Sequence, residues 1–446
     1  MKQSMKLFLI LIAGQFISSI GSGLTDFGLA IYVLNLTHSV TATAIISICA
    51  FLPSILLTPL GGILADRYDR RLMMMAGEFF SGLGLVICLI SIMSGSPSMT
   101  MICIGVAVSS VFTALMEPAF KATITDMLSE EDFAKAGGFV QIANNAKLLI
   151  SPALAGLLLK ITPVSTLIFI DILTFFTTVF AIAFVKKNMI GKTSQTTEKE
   201  EVSDGRKQGL RTEFREGIHA INSTKGIWTL VWIMTLAVFC LGFVQILSKP
   251  MILAYAGESE LGTLTTVVAI GMLVGSIVIS CMKNVKSYQH MLAAGLIGCG
   301  IFMALMGLRE NIILTACFGF LMFIFMPVVQ IGAEVMIRKN LKNEVQGRAF
   351  GVIGFVSQMG YIVAYLCSGF LSDYVFEPLM CGNSAFAQVV GRIIGNGSGR
   401  GIALLVIIAG VGLVIVGVSV LQSGRLKILG TSSREPQVED MKLELN

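Results

Sequence analysis

Charge is scarce in this 446-residue chain: Asp, Glu, Lys and Arg make up 13% of it, against 54% apolar residues. That balance excludes a water-soluble enzyme. Histidine is scarcer still, and His38, His219 and His290 all fall at span ends or in polar segments, which excludes a histidine metal site and a histidine proton relay. The nine cysteines stand singly with no Cys-x-x-Cys pair, and only Cys381 lies clearly in a loop, so neither a zinc site nor a disulfide framework is expected. A Gly-x-x-x-x-Gly-Lys-Ser/Thr phosphate loop is missing as well, so ATP does not drive the protein directly. With no clustered nucleophile, base or metal set, the chain reads as a non-enzyme that needs no cofactor and draws on an ion gradient.

What the sequence does have is apolar runs long enough to cross a bilayer core of roughly 30 Å at about 1.5 Å per residue. Six are expected at 7–34, 41–65, 72–94, 99–120, 138–160 and 163–185. Six more follow at 227–255, 261–282, 291–308, 311–335, 349–374 and 400–422. The first run is too long for a signal-peptide core and has no small-residue cleavage site, so it is expected to be retained. The organisation is a six-span bundle over 1–185, a cytoplasmic linker over 186–226, a second six-span bundle over 227–422 and a cytoplasmic tail over 423–446. Within the linker, Leu210, Phe214, Ile218 and Ile221 recur at helical spacing, the pattern of a helix lying on the membrane surface.

Basic residues orient the chain. With Met1 inside, only Lys160, Arg309, Arg392 and Arg400 fall in outer loops and only Lys147 and Lys249 within spans, the rest of the 32 Lys and Arg being cytoplasmic. Both termini are therefore expected in the cytoplasm of a bacterial plasma membrane. The net charge of +5 follows from this bias and calls for no nucleic-acid partner. The expected partners are the bilayer and a small-molecule or peptide-like substrate, with the chain acting as a monomer.

Between spans 2 and 3 stands Gly62-Ile63-Leu64-Ala65-Asp66-Arg67-Tyr68-Asp69-Arg70-Arg71, a short burst of charge that can only be a tight turn at the membrane surface. It resembles the loop signature Gly-x-Leu-Ala-Asp-Arg-x-Gly-Arg-Arg of the major facilitator superfamily. The departure is Asp69, where an Asx-type turn takes the place of glycine. Further segments are similar to the proton-coupled drug antiporters related to macrolide exporters: Ser22-Gly23-Leu24-Thr25, Glu117-Pro118-Ala119-Phe120, Ser151-Pro152-Ala153-Leu154-Ala155-Gly156, Ile170-Asp171 and Gly347-Arg348. The outer stretches Phe376–Met380 and Gly395–Gly401 are similar to exporters found beside peptide natural-product synthesis genes. The resemblance implies an all-α integral membrane fold, twelve transmembrane helices in two pseudo-symmetric six-helix bundles, with spans 1, 4, 7 and 10 lining a central cavity. In the turn, Gly62 is expected to let another helix approach, Asp66 to offer a carboxylate to a helix N-terminus or an arginine, and Arg67, Arg70 and Arg71 to hold the loop inside. Together they would form a conformational latch.

A charge in the hydrocarbon core costs on the order of 3 kcal/mol, so each one wants a partner or a wet cavity. Those expected within spans or at their ends are Asp26, Glu117, Lys121, Lys147, Asp171, Lys249 and Glu334, with Glu78 near the inner surface. Asp26 and Lys249 lie at similar height towards the outside and are expected to pair there. Matching Lys135 to Arg348 between the two halves sets Gln330 opposite Glu117 and Glu334 opposite Lys121, so Lys121 with Glu334 is the expected inner gate. Asp26 and Glu117 are the expected proton carriers. Lys147 belongs to a polar strip with Gln141, Asn144 and Asn145, a face turned to protein or water. It could contact an acidic cargo or counter a cavity carboxylate. Asp171 is expected to have a structural, hydrogen-bonding role.

Three functions fit this pattern. The leading one is proton-coupled export of amphipathic drugs or peptide-like natural products. A proton symporter importing a nutrient or lysophospholipid would accumulate substrate in the opposite direction, and a non-transporting scaffold or sensor would have no need of cavity charges.

Overall fold

A computed structural model describes the chain except residues 1–2, 129–131, 190–209, 225, 282–284, 286, 383–384 and 432–446. Among the described residues there is no strand, and twelve helices are long and apolar enough to cross a membrane. In the first half they are span 1 (Gln3–Thr37), span 2 (Val40–Arg67), span 3 (Arg70–Met93), span 4 (Met99–Met127), span 5 (Phe133–Leu149 continued by Ser151–Leu159) and span 6 (Val164–Met189). In the second half they are span 7 (Ile227–Leu253), span 8 (Glu258–Cys281), span 9 (Tyr288–Met306), span 10 (Ile312–Asn340), span 11 (Asn343–Leu371) and span 12 (Arg400–Gln422). These ends lie within seven residues of the expected ones, the largest extensions being at the ends of spans 4 and 10 and the starts of spans 5 and 11, where the helix runs on past the apolar stretch. The expected linker helix is present as Leu210–Ser223.

By alternation along the chain, one end of every span lies on the side of the 66–71 turn, here the turn face, and the other on the far face. The chain groups into two compact units. One holds residues 1–206, 245–269 and 365–402, so the far-face ends of spans 7, 8 and 11 pack with the first six spans. The other holds residues 207–244, 270–364 and 403–446.

In the first unit span 1 is the axis, packing along span 6 and both pieces of span 5. Its first third buries Phe8, Leu11 and Ile12 with Met74, Met116, Phe120 and Ile182; its last third buries Leu29 and Val33 with Ile46, Leu85, Ile102 and Ile168. Between these two apolar layers run Ser18, Gly21, Ser22, Gly23, Thr25 and Asp26. The polar stretch is thus held at mid-membrane by burial above and below it.

In the second unit span 9 packs along span 10. The Gln289 amide donates to the carbonyls of Val420 (2.7 Å), Leu421 (3.3 Å) and Ser423 (3.2 Å), closing the last turn of span 12. The linker helix is pinned to the start of span 11 by an Arg348–Glu216 ion pair, and Gly217 lies where a Cβ would meet the Arg348 carbonyl. The family-like Gly347-Arg348 step thereby ties the linker to a span.

Candidate functional site

The mid-membrane polar layer is built where three resemblance segments cross. Ser22 Oγ donates to Asp171 Oδ1 of span 6 at 3.2 Å, which gives that buried carboxylate the hydrogen-bonded role expected of it. At Gly21 an added Cβ would overlap Thr174 and Asp171, and at Gly23 it would overlap Ser151 Oγ and stand 3.0 Å from Lys147 Cγ. Span 5 breaks at Ile150, immediately before Ser151-Pro152, and Ser151 Oγ donates to the Ile20 carbonyl at 3.0 Å. The break and the two small residues bring Lys147 alongside span 1.

There Lys147 Nζ meets Asp26 Oδ2 at 2.6 Å, with 42% and 59% of the two side chains exposed. This differs from the expected Asp26–Lys249 pair: span 1 continues to Thr37, so Asp26 sits deeper than the apolar run alone implied, at the level of Lys147. Lys249 stands instead over the Phe27 ring, 5.3 Å from its centroid. Asp26, Lys147, Lys249 and Asp171 lie within electrostatic reach of one another and form one charged layer. On the polar strip Gln141 Nε2 donates to Asn145 Oδ1 at 3.2 Å, while the Asn144 side chain lies outside the described residues.

The turn-face charges are answered locally. Lys121 bonds Glu117 at 2.6 Å on its own helix, and Glu334 bonds Arg338 at 2.6 Å on its own, where the sequence suggested Lys121 with Glu334. An acid and a base four residues apart on one helix face satisfy each other whatever the other helices do. Gln330 is exposed on span 10. Glu78, expected near the inner surface, is 3% exposed inside the packing of span 3.

In the turn itself, Arg70 donates to Asp126 at 2.6 Å and to the carbonyls of Ala65 (3.2 Å) and Ala122 (3.3 Å), tying the start of span 3 to the end of span 4. Asp69 accepts from the amides of Arg71 (2.9 Å) and Leu72 (3.2 Å) and lies 3.4 Å from Lys186, so the residue that departs from the family's glycine is the N-cap of span 3. Partial burial pushes its carboxyl up, but the two amides and Lys186 outweigh that and hold it below the usual carboxylate range. The helix approach expected at Gly62 falls on Gly61: an added Cβ at Gly61 would come 2.9 Å from the Leu115 carbonyl, and at Gly62 it would meet nothing within 4 Å. Arg67 is exposed, Arg71 partly so, and the Asp66 side chain lies outside the described residues.

Two further acids act on the far face, Glu377 from the outer stretch Phe376–Met380 and Asp373 just before it. Asp373 and Glu377, four residues apart at the end of span 11, accept from backbone amides at the starts of spans 2 and 12. An i, i+4 acid pair at a span end was visible in the sequence, but nothing there says which distant amides it would meet.

A fold of twelve apolar helices with a charged mid-membrane layer defines a polytopic transporter. The family model of the Major Facilitator Superfamily matches residues 11–255, more than half of the chain, and the protein belongs to that superfamily. It is 23% identical over 369 residues to macrolide efflux protein A of Streptococcus pyogenes, covering 81% of this chain and 88% of that protein. To the multidrug efflux pump Tap of Mycobacterium bovis it is 23% identical over 380 residues, covering 82% and 87%. Among solved structures, a bacterial homologue of the human lysosomal transporter Spinster, inward-facing and unoccupied, superposes with a TM-score of 0.70 at 12% identity, covering 97% of this chain and 100% of that one.

Proposed function

We propose that this transporter exports amphipathic drugs or peptide-like natural products by proton antiport and alternating access, working as a monomer in a bacterial plasma membrane with its turn face in the cytoplasm. The observation that carries the coupling is the Asp26–Lys147 pair: a partly exposed carboxylate at mid-membrane, held by a cation from another span. When the spans move apart, the carboxylate loses that cation and a proton becomes the cheapest counter-charge. Export is supported by the efflux relatives, and the cytoplasmic placement of the turn face by its basic bias. Glu117 is the second carrier, but its partner Lys121 travels on the same helix and does not leave it when spans move.

Everted membrane vesicles test this. Drug uptake into acidified wild-type vesicles is expected to release protons. Asp26→Asn should abolish accumulation driven by the pH gradient while leaving downhill exchange, and Glu117→Gln should keep the larger part of it. Full proton-driven accumulation in Asp26→Asn would sink the assignment of Asp26, and drug accumulation without proton release would sink antiport.

A further inference from the structure

Span 2 starts with an N-terminus that its own sequence only half satisfies. Ser39, extended at φ −127° and ψ 123°, caps the Ala42 amide through its hydroxyl oxygen at 3.2 Å, and its carbonyl accepts from the Thr43 amide at 3.4 Å. The remaining first-turn amides, Val40 and Thr41, donate to Asp373 of span 11 at 3.0 and 2.9 Å, and the Ser39 hydroxyl donates to the same carboxylate at 2.7 Å. Asp373 stands in a π-helical turn, Ser372–Phe376, which widens span 11 where its regular helix ends. One turn deeper, Gly369 brings the two spans to backbone contact: a Cβ there would come 2.8 Å from Thr41 Cα and 3.1 Å from Ala44 Cβ.

A cap supplied by a neighbour in sequence survives any rearrangement of helices. A cap supplied from 334 positions away exists only while the two spans touch. We infer that Asp373 is a gating residue, a removable cap on span 2 that holds the far face closed and must let go for that face to open. The bonds are charge-assisted and lie at a helix N-terminus, where a carboxylate is favoured by the dipole as well as by the amides. Once span 11 leaves, Val40 and Thr41 turn to water and Ser39 keeps the helix capped, so opening costs the clasp without unravelling the helix. Glu377, one helical turn on, accepts from the Gly399 and Ile402 amides and anchors the end of span 11 to the start of span 12. The clasp therefore moves with a rigid end and not with a loose loop. The inference rests on reading the protein as an alternating-access transporter.

Spin labels at Ile45→Cys on span 2 and Phe370→Cys on span 11, two exposed positions near the contact, report its opening by double electron–electron resonance. The background is a protein with its nine native cysteines replaced that still transports, held in lipid nanodiscs. Asp373→Asn should shift the ratio of long to short distances towards the long by about tenfold, the scale of losing charge from such bonds. Val40→Pro removes one donor with the residue best suited to the first helical position, after a Ser39 whose backbone already tolerates proline. It should shift the ratio in the same direction, and the double variant should do no more than the larger single one. Asp373→Glu should stay nearer to wild type. If Asp373→Asn does not fold, Val40→Pro carries the test. Unchanged distances in both variants, beside a wild type that populates two distances, overturn the clasp alone. A single wild-type distance with and without substrate and across pH overturns alternating access together with it.

Discussion

Gly23 shows how much of the site depends on a missing side chain. Lys147 and Ser151 of span 5 occupy the space a Cβ would take, and the same crossing sets Lys147 against Asp26. Gly23→Val is therefore expected to cost about 1–3 kcal/mol through overpacking. It should lower the thermal midpoint in detergent and, by pushing span 5 away, impair proton-driven transport more than downhill exchange. Asp69 is the second residue whose role is local. Asp69→Ala removes the N-cap of span 3, a loss of about 1 kcal/mol. Because its carboxyl lies below the usual range in the folded protein, its contribution is present above the ordinary aspartate value and disappears as pH falls through the lowered one. Nearly half of the side chain is exposed, so the share owed to Lys186 should shrink with added salt. Thermal midpoints of wild type and Asp69→Ala should thus converge at acid pH, where neither retains an ionised cap.

At the scale of elements, helices were legible and their mutual placement was not. Twelve apolar runs, the linker helix at Leu210 and the turn at 66–71 can all be read from hydropathy and charge, since each depends on the chain's own phase preference. The mid-membrane residues were legible as a set, because an ionisable side chain in an apolar run stands out whatever it touches. Partners were not: Asp26 takes Lys147 and leaves Lys249 to Phe27 because span 5 breaks at Ile150 and span 1 runs on to Thr37, and although Pro152 marks the break, nothing in the sequence says which side chains it brings together. Gly61 took the role expected of Gly62 for the same reason, since which of two adjacent glycines faces a neighbour depends on helix rotation. Arg348–Glu216 is a further element-level contact that sequence does not announce. It predicts that Glu216→Gln loosens the linker helix, seen as faster amide hydrogen exchange over Leu210–Ser223 with exchange in spans 9 and 10 unchanged. Equal protection of the linker helix in both proteins would mean that the Gly217 backbone contact alone holds it.

For the whole molecule, three contacts join spans from the two halves of the chain at their far-face ends, all of them within the first compact unit. Spans 2 and 11 meet at Asp373 and Gly369, spans 1 and 7 at Phe27 and Lys249, and spans 5 and 8 at Gly156 and Gly262. In the last of these a Cβ on Gly156 would come 2.6 Å from the Glu258 carbonyl and one on Gly262 would overlap the Pro152 carbonyl, so two backbones lie in direct contact. Around them Asn35 donates to Glu258 at 3.1 Å and Lys160 stands 3.9 Å from Glu260, pairs exposed enough to contribute little each. Glycine contacts of this kind are all-or-none, since a side chain cannot be accommodated by small shifts in a close-packed interface. Gly262→Leu should therefore wedge spans 5 and 8 apart and raise the rate at which a membrane-impermeant thiol reagent labels a cysteine placed at Asn35. Gly275→Leu, on the same span where a Cβ would meet the Ile324 carbonyl of span 10, serves as the control for general disruption. If both variants raise labelling equally, the far-face contact is not special; if only Gly262→Leu does, the Gly156–Gly262 backbone contact itself holds the far-face ends of spans 5 and 8 together.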